Sequence, residues 1–228
     1  MGTNIGKWRK PSAPPLDAGT YTARCTGVID IGWQITSYKG QEKEQPQIIL
    51  IFEFPTETIE VDGELKPRWM SQIYTKSTYE KAKLRQHLKA WRGQDFTKEE
   101  LEDFDIARVL NVPCTITVSH TEKDGNIYAN IESIGKKMKD VPMPADVIRQ
   151  FHFDIDNAET WGCFPDLPEW IQAKINGSED FKLRGVQIDK NGNRVEVASG
   201  KSADNGSQIN NEVIDGYEVI DDDLDLPF

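Results

Sequence analysis

Five segments of the sequence have the residue pattern that is typical of β-strands. In residues 21–33 apolar side chains alternate with polar ones, and Gly27 and Gly32 are positions where so long a strand could bend. Residues 47–54 are apolar on both faces, which suits a central strand. Residues 37–46 are polar and predict a loop, whereas Asp62-Gly63 predicts a hairpin turn. The other strands are predicted at residues 68–75, 112–120 and 127–134.

One amphipathic helix is predicted between the third and the fourth strand. Ser77 and Glu80 match the capping-box pattern that begins a helix, and Gly93 is suited to end it. The apolar stripe of this helix consists of Leu84, Leu88 and Trp91. Three strands, a helix and two strands are the element order of an OB-fold, a five-stranded Greek-key barrel. The sequence therefore predicts a mainly β protein with this barrel, although other five-stranded barrels and open α+β sheets share the order.

The chain is predicted to consist of four parts. Residues 1–18 are basic and rich in proline, and we expect a flexible arm; residues 19–140 contain the predicted barrel. Residues 141–181 begin as an extended segment and end in a short helix, LPEWIQAKI, that has too few apolar residues for a core of its own. We expect this segment to dock on the barrel or on a second copy. Residues 182–228 are predicted to be a flexible linker followed by a disordered acidic tail.

Charge is distributed unevenly along the chain. The formal net charge is −11, yet residues 66–92 contain eight basic residues and one acidic residue. Residues 211–228 contain seven acidic residues and neither Lys nor Arg. Because a binding field is local, an acidic total does not argue against nucleic-acid binding.

Single strands can be bound without sequence preference where cations follow the phosphates and aromatic rings stack on the bases. The first three predicted strands, their loops and the start of the helix combine both residue types. We predict nucleic-acid contacts from Arg24, Trp33, Tyr38, Lys39, Lys66, Arg68, Tyr74, Lys76, Lys81 and Arg85.

Each of these assignments has a structural alternative. Trp33, Trp69 and Tyr74 could equally be core residues. Trp69 and Tyr74 lie on opposite faces of an unbulged strand, and Tyr74 is the preferred contact because Lys76 shares its face. Lys81 and Arg85 belong to a basic stripe that Lys89 and Arg92 continue along the predicted helix. That stripe could be a solvated helix face or a resting place for the acidic tail.

Motifs for catalysis, metal binding and membrane insertion are absent from the sequence. It contains no P-loop, no G-x-S-x-G and no H-E-x-x-H. His152, Asp154 and Asp156 lie close together, but an acidic, aromatic loop explains them better than a metal site. The scattered Cys25, Cys114 and Cys163 indicate neither zinc nor disulfides. No run of about 18 apolar residues is present. We therefore predict a non-enzymatic protein without cofactor, metal or membrane contact.

The end of the sequence is a candidate binding site for a protein partner. Acidic residues there would attract a basic surface over a long range, and the terminal ring would fill an apolar pocket. The predicted partner-binding residues are Asp221, Asp222, Asp223, Asp225, Leu226, Pro227 and Phe228. The alternative is a disordered tail that only increases solubility.

Several segments resemble bacteriophage single-stranded DNA-binding proteins. They are GTYTARCTGVIDIG, KLRQHLKAWRG, FTKEELEDFD, GNIYANI, LPEWIQAKI and the acidic ending DDDLDLPF, which departs from the usual ending by placing Asp225-Leu226 before Pro227. The resemblance implies an OB-fold that coats single-stranded DNA during phage replication or recombination in the cytoplasm of the infected host cell. It also implies that the acidic tip recruits replication or recombination proteins.

Three questions remain open at the level of sequence. The chain could instead be an adaptor that holds replication proteins together without binding DNA itself. A nuclease or repair enzyme would need Asp154 and Asp156 beside a further carboxylate. A homo-oligomer is also compatible with the sequence.

Overall fold

The computed structural model describes residues 14–38, 40–61, 63–123, 125–142, 149–197 and 218–220, which form a mainly β structure with short helices. The long strands are β1 (Gly19–Tyr38), β2 (Gln41–Val61), β3 (Glu64–Thr75), β4 (Pro113–Lys123) and β5 (Asn126–Lys136). The short strands are β6 (Phe151–Phe153), β7 (Val186–Ile188), β8 (Arg194–Glu196) and β9 (Glu218–Ile220). The α-helices are α1 (Lys83–Arg92), α2 (Lys98–Glu102), α3 (Glu169–Asn176) and α4 (Glu179–Arg184). Two 3-10 helices span Ile106–Val109 and Ala158–Asp166.

The main sheet has the strand order β5-β4-β1-β2-β3-β9. Its five long strands pair antiparallel, and β6 pairs in parallel with β1 beyond the end of the β4 ladder. The predicted succession of three strands, a helix and two strands is present. The predicted barrel closure is not, because no ladder within the described residues joins β3 to β5. Instead β9 lies beside β3 and also contacts β5.

Beyond the core, β1 and β2 continue as a two-stranded hairpin, which we call the β1–β2 arm (residues 33–46). Its ladder runs from the pair Trp33 and Pro46 to the pair Tyr38 and Gln41. The sequence predicts a loop for most of this region because its residues are polar. A ladder of backbone hydrogen bonds needs no apolar pattern where most side chains on both strands are solvated.

Helix α1 begins five residues later than the capping pattern predicts, since its N-cap is Ala82 and not Ser77. Ser77 Oγ accepts a hydrogen bond from the Tyr79 backbone N–H at 3.2 Å, so it stabilises a turn before the helix. The helix begins after Ala82, whose side chain makes no capping hydrogen bond. The predicted end is correct, since Gly93 terminates α1 at a φ of 80°. Thr97 and Glu100 form a capping box, which begins α2.

The first core lies between one face of the sheet and α1. The predicted stripe of α1 is buried there, where the Trp91 ring lies 5.8 Å from the Phe52 ring. The Trp91 indole N–H donates to the carbonyl of Pro113 at 3.0 Å, so this large ring is buried without an unpaired donor.

A second core covers the opposite face of β1, β2 and β3. Five isoleucines from these strands pack there against residues 153–188: Ile29, Ile31, Ile49, Ile51 and Ile73. The covering layer contributes Phe153, Phe164 and Phe181, each almost completely buried. The central strands are therefore buried on both faces, which explains why residues 47–54 are apolar without alternation.

The structure corrects two predictions of flexibility. In the predicted N-terminal arm, Leu16 is 3% exposed in the first core, and its carbonyl is hydrogen-bonded to His120 Nε2 at 2.8 Å. In the predicted linker, α4 continues into a β7–β8 hairpin whose Val186 and Ile188 are buried in the second core. These segments are short and lack periodicity, so their burial depends on the sheet that they cover.

A buried histidine makes stability depend on pH. His87 is 8% exposed, and its Nδ1 is hydrogen-bonded to Tyr74 Oη at 2.9 Å. Burial lowers the pKa of His87 to about 4, and the charge of Lys83 acts in the same direction. A hydrogen bond with the backbone of Glu132 has the opposite, smaller effect. Between pH 6.5 and 4 the unfolded chain therefore binds a proton at this site that the folded chain does not, so stability falls with falling pH.

We expect the free energy of unfolding to decrease by about 3 kcal/mol from pH 7 to pH 4, measured by urea denaturation. The pKa values of Asp95 and Glu100 are lowered to about 2, so their contributions change mainly below this window. His87→Gln should remove most of the slope between pH 6.5 and 4. An unchanged slope in this variant would contradict the assignment.

Candidate nucleic-acid interface

An exposed aromatic ring on β1 and a cation that directly follows β3 lie on either side of β2 at the base of the β1–β2 arm. Trp33 on β1 is directly opposite Pro46 on β2, and the backbone N–H of Lys76 donates to the Pro46 carbonyl at 2.7 Å. Trp33 is 43% exposed and Ile35 is 53% exposed. Since residues two apart on a strand project from the same face, Trp33 and Ile35 present one apolar surface to solvent.

Contacts with α3 and α4 hold the base of the arm. The backbone N–H of Trp33 donates to Asp180 Oδ2 at 2.7 Å. Gln34, on the opposite face, donates to the carbonyl of Lys174 at 3.1 Å. Gly32 precedes them with a φ of 70°, at a register shift in the β1–β2 ladder. The second layer therefore fixes the backbone that carries the Trp33 ring.

The side chain of Lys76 is held by a carboxylate. Its Nζ forms an ion pair with Asp30, whose other oxygen accepts the Gly32 N–H at 2.9 Å. Burial opposes the charge of Lys76, but the hydrogen bond to Asp30 and the attraction of Asp30, Asp154 and Asp156 outweigh it and raise its pKa. Lys76 therefore stays protonated, and its side chain is still about half exposed, at 49%. A phosphate could approach it only in competition with Asp30.

A second exposed ring follows β3. Tyr79 is 66% exposed in the turn that Ser77 stabilises, and the exposed Lys81 lies two residues further along. We call Trp33, Ile35, Lys76, Tyr79 and Lys81 the arm surface. Sequence reasoning missed Tyr79 and Ile35, since it assigned the first to a helix cap and the second to a region before a loop. Tyr79 could have been found as a ring within an otherwise polar segment.

The basic stripe on α1 is largely neutralised by acidic residues from the following segment. Asp95 forms ion pairs with Lys89 at 2.9 Å and with Arg85 at 3.3 Å, and Glu100 pairs with Arg92. Hydrogen bonds from Lys89 and Arg92, respectively, are the main reason that the pKa values of these two acids are low. Arg85 is thus committed to Asp95 and to the Thr78 carbonyl, which weakens the local field that the sequence predicts.

Three other predicted cations lie away from the arm surface. Arg24 is partly buried on β1, opposite Glu53. Arg68 donates to the carbonyl of Pro14, and Lys66 pairs with Glu64 at 3.7 Å. Lys66 and Arg68 are near the β2–β3 turn, at the opposite end of β2 from the arm. The structure therefore does not bring these cations together with Trp33.

The predicted stacking role of Tyr74 needs correction. Tyr74 is 2% exposed and hydrogen-bonded to His87, so its ring is not accessible to a base. Trp69, on the opposite face of β3, is partly buried against the second core. Lys39 and the side chain of Tyr38 lie outside the described residues.

The tail is described only at β9. Its residues pair in parallel with Met70, Ser71 and Gln72 of β3. The predicted partner-binding residues 221–228 lie outside the described part of the chain.

The residues around Asp154 form a turn. Asp154 Oδ1 accepts the N–H of Asp156 at 2.9 Å, and Asp156 pairs with Arg184. Within the described ranges there is no group of three or more His, Cys, Asp or Glu residues that could hold a metal ion. No helix in those ranges has the length and apolar character needed to span a membrane. Neither a protein-family model nor a curated protein matches this sequence.

Proposed function

We propose that this protein binds single-stranded DNA without sequence preference through the arm surface. The observation that carries the proposal is the exposure of two rings, Trp33 on the anchored β1–β2 arm and Tyr79 in the segment after β3. That segment also contains the cations Lys76 and Lys81. Exposed apolar surface that is contiguous, as on Trp33 and Ile35, is typical of interaction sites. Unpaired bases offer the aromatic faces on which such rings stack, and stacking tolerates every base.

The charges near the arm surface favour stacking over phosphate attraction as the main source of affinity. Lys76 is already paired with Asp30, while Glu44 lies opposite Ile35 and Glu80 follows Tyr79. Among the residues that the structure describes near the arm surface, few cations are thus free to neutralise phosphates. We expect about two phosphate contacts, and therefore a logarithmic salt slope of about −1.4 for single strands.

The scaffold proposed for this function is an OB-fold of the kind that phage single-stranded DNA-binding proteins use. Its support is the order of the five long strands and the position of α1 between β3 and β4. The β1–β2 connection, which forms the arm, is one of the loops with which such folds bind oligonucleotides. We propose that the protein acts in phage DNA replication or recombination.

The acidic tip is proposed to recruit proteins of the same process. Residues 221–228 combine four acidic side chains with a Pro-Phe ending, which suits a basic pocket with an apolar base. This role is separable from DNA binding, because the arm surface lies on β1 and on the β3–α1 segment.

The test is a titration of labelled oligo-dT and of a duplex of equal length, at two salt concentrations. We expect binding to oligo-dT that weakens with salt, and much weaker binding to the duplex. A chain that ends at Ile220 should bind oligo-dT more tightly and should no longer recruit a partner. Equal affinity for duplex would contradict the proposal, and no affinity for oligo-dT at low salt would favour the adaptor.

A further inference from the structure

In the part of the chain that the structure describes, the β7–β8 hairpin ends the second layer with an open strand edge. Its inner strand β7 buries Val186 and Ile188 in the second core. Its outer strand, β8, pairs only with β7 among the described residues. All three residues of β8 are exposed: Arg194, Val195 and Glu196.

The hydrogen-bond pattern of the hairpin shows which backbone groups face outward. Asp189 N–H donates to the Asn193 carbonyl at 2.9 Å, and Val197 N–H donates to the Gly185 carbonyl at 2.7 Å. In an antiparallel ladder, hydrogen-bonded pairs alternate with non-hydrogen-bonded pairs. Val195 is therefore bonded to Gln187 within the hairpin. The N–H and C=O groups of Arg194 and Glu196 point away from β7, toward the open edge.

We infer that β8 is a self-association edge, at which two copies of this chain pair antiparallel around a two-fold axis through Val195. In that register Arg194 of each copy is opposite Glu196 of the other. The two outward residues of each copy then form four backbone hydrogen bonds across the axis. The sequence Arg-Val-Glu is thus complementary to itself, with an opposite charge pair on each side of the axis.

Exposed aliphatic side chains beside the edge support this choice of partner. Val195 is 42% exposed, and in this register it would meet the same residue of the second copy in a close, non-hydrogen-bonded pair. Val197 is 41% exposed next to Gly185, and Leu183, two residues before Gly185, is 87% exposed. In the single chain, Arg194 and Glu196 pair with each other at 2.9 Å, both largely exposed. Such an exposed ion pair contributes little to stability, so each side chain can leave its partner in the same chain and pair with the second copy instead.

A short edge implies a weak dimer, so the test is sedimentation velocity on the full chain over about 5–500 µM. We expect the average mass to rise toward twice the monomer mass. Arg194→Glu sets carboxylates opposite each other on both sides of the axis and should weaken the dimer more than about tenfold. The double variant Arg194→Glu, Glu196→Arg restores opposite charges and should restore the dimer.

A matched control and a second readout separate this edge from general charge effects. Lys182→Glu changes the net charge as Arg194→Glu does, at an exposed ion pair on α4, and should leave the dimer unchanged. Amide exchange of Arg194 and Glu196 should slow as concentration rises, whereas Val195 should be protected at every concentration. A monomer throughout, or a double variant no better than Arg194→Glu, would overturn the inference. Binding of one short oligo-dT per chain should be the same in all these variants, so the proposed function is tested separately.

Discussion

Replacing Gly32 by alanine should lower the free energy of unfolding by about 3 kcal/mol, the largest effect that we expect from adding a single methyl group. Gly32 has a φ of 70°, which costs other residues about 1–2 kcal/mol. A Cβ there would lie 2.6 Å from Ile155 Cδ1 and still closer to Asp180 Oδ2. The clash adds a cost of about 1–3 kcal/mol, since Asp180 also accepts the Trp33 N–H. Urea denaturation measures the sum.

Gly40 provides a matched control at the tip of the arm. Its φ is 79°, close to that of Gly32, but a Cβ there would have no neighbour within 4 Å among the described residues. Gly40→Ala should therefore show only the backbone cost of about 1 kcal/mol. If Gly32→Ala and Gly40→Ala lowered the free energy of unfolding equally, the contact of Gly32 with the second layer would contribute nothing to the position of the arm.

Replacing both Trp33 and Tyr79 by alanine should reduce affinity for oligo-dT by two orders of magnitude or more. Each stacked ring contributes about 1–3 kcal/mol, and about 1.4 kcal/mol corresponds to a tenfold change. The free energy of unfolding should change little, because both rings are substantially exposed. Anisotropy titration and urea denaturation of the same samples measure the two quantities.

Two variants sharpen this comparison. Trp33→Phe keeps a ring and should retain most of the affinity that Trp33→Ala loses. Leu65→Ala removes a side chain that is 74% exposed beside the β2–β3 turn, at the other end of β2, and should leave the affinity unchanged. An equal loss in Leu65→Ala and Trp33→Ala would remove the arm surface from the mechanism.

Local patterns were sufficient to predict the long strands and the apolar stripe of α1. The run at residues 47–54 is apolar because a core lies on each side of it, so its lack of alternation was informative. The second layer was harder to predict, because Phe181, Val186 and Ile188 are too widely spaced to show a period. The ladder of the β1–β2 arm has no recognisable pattern in the sequence, because backbone groups form its hydrogen bonds.

The error at Tyr74 shows where periodicity stops being informative. Alternation correctly placed Tyr74 and Trp69 on opposite faces of β3. The further step, that one of these faces meets solvent, needs knowledge of what covers the sheet. The first core covers one face and the second core covers the other, so neither ring is on an open surface. Tyr79 lies outside β3, so neither core covers it and its ring is exposed.

The burial of both faces of β1, β2 and β3 restricts where evolution can alter recognition. Where each sheet face is filled by isoleucines or aromatic rings, a larger ligand cannot be accommodated without repacking a core. The arm extends past both cores, and no described atom lies within 4 Å of a Cβ added at Gly40, near its tip. Its length and sequence can therefore diverge between related chains while the scaffold that supports it stays the same.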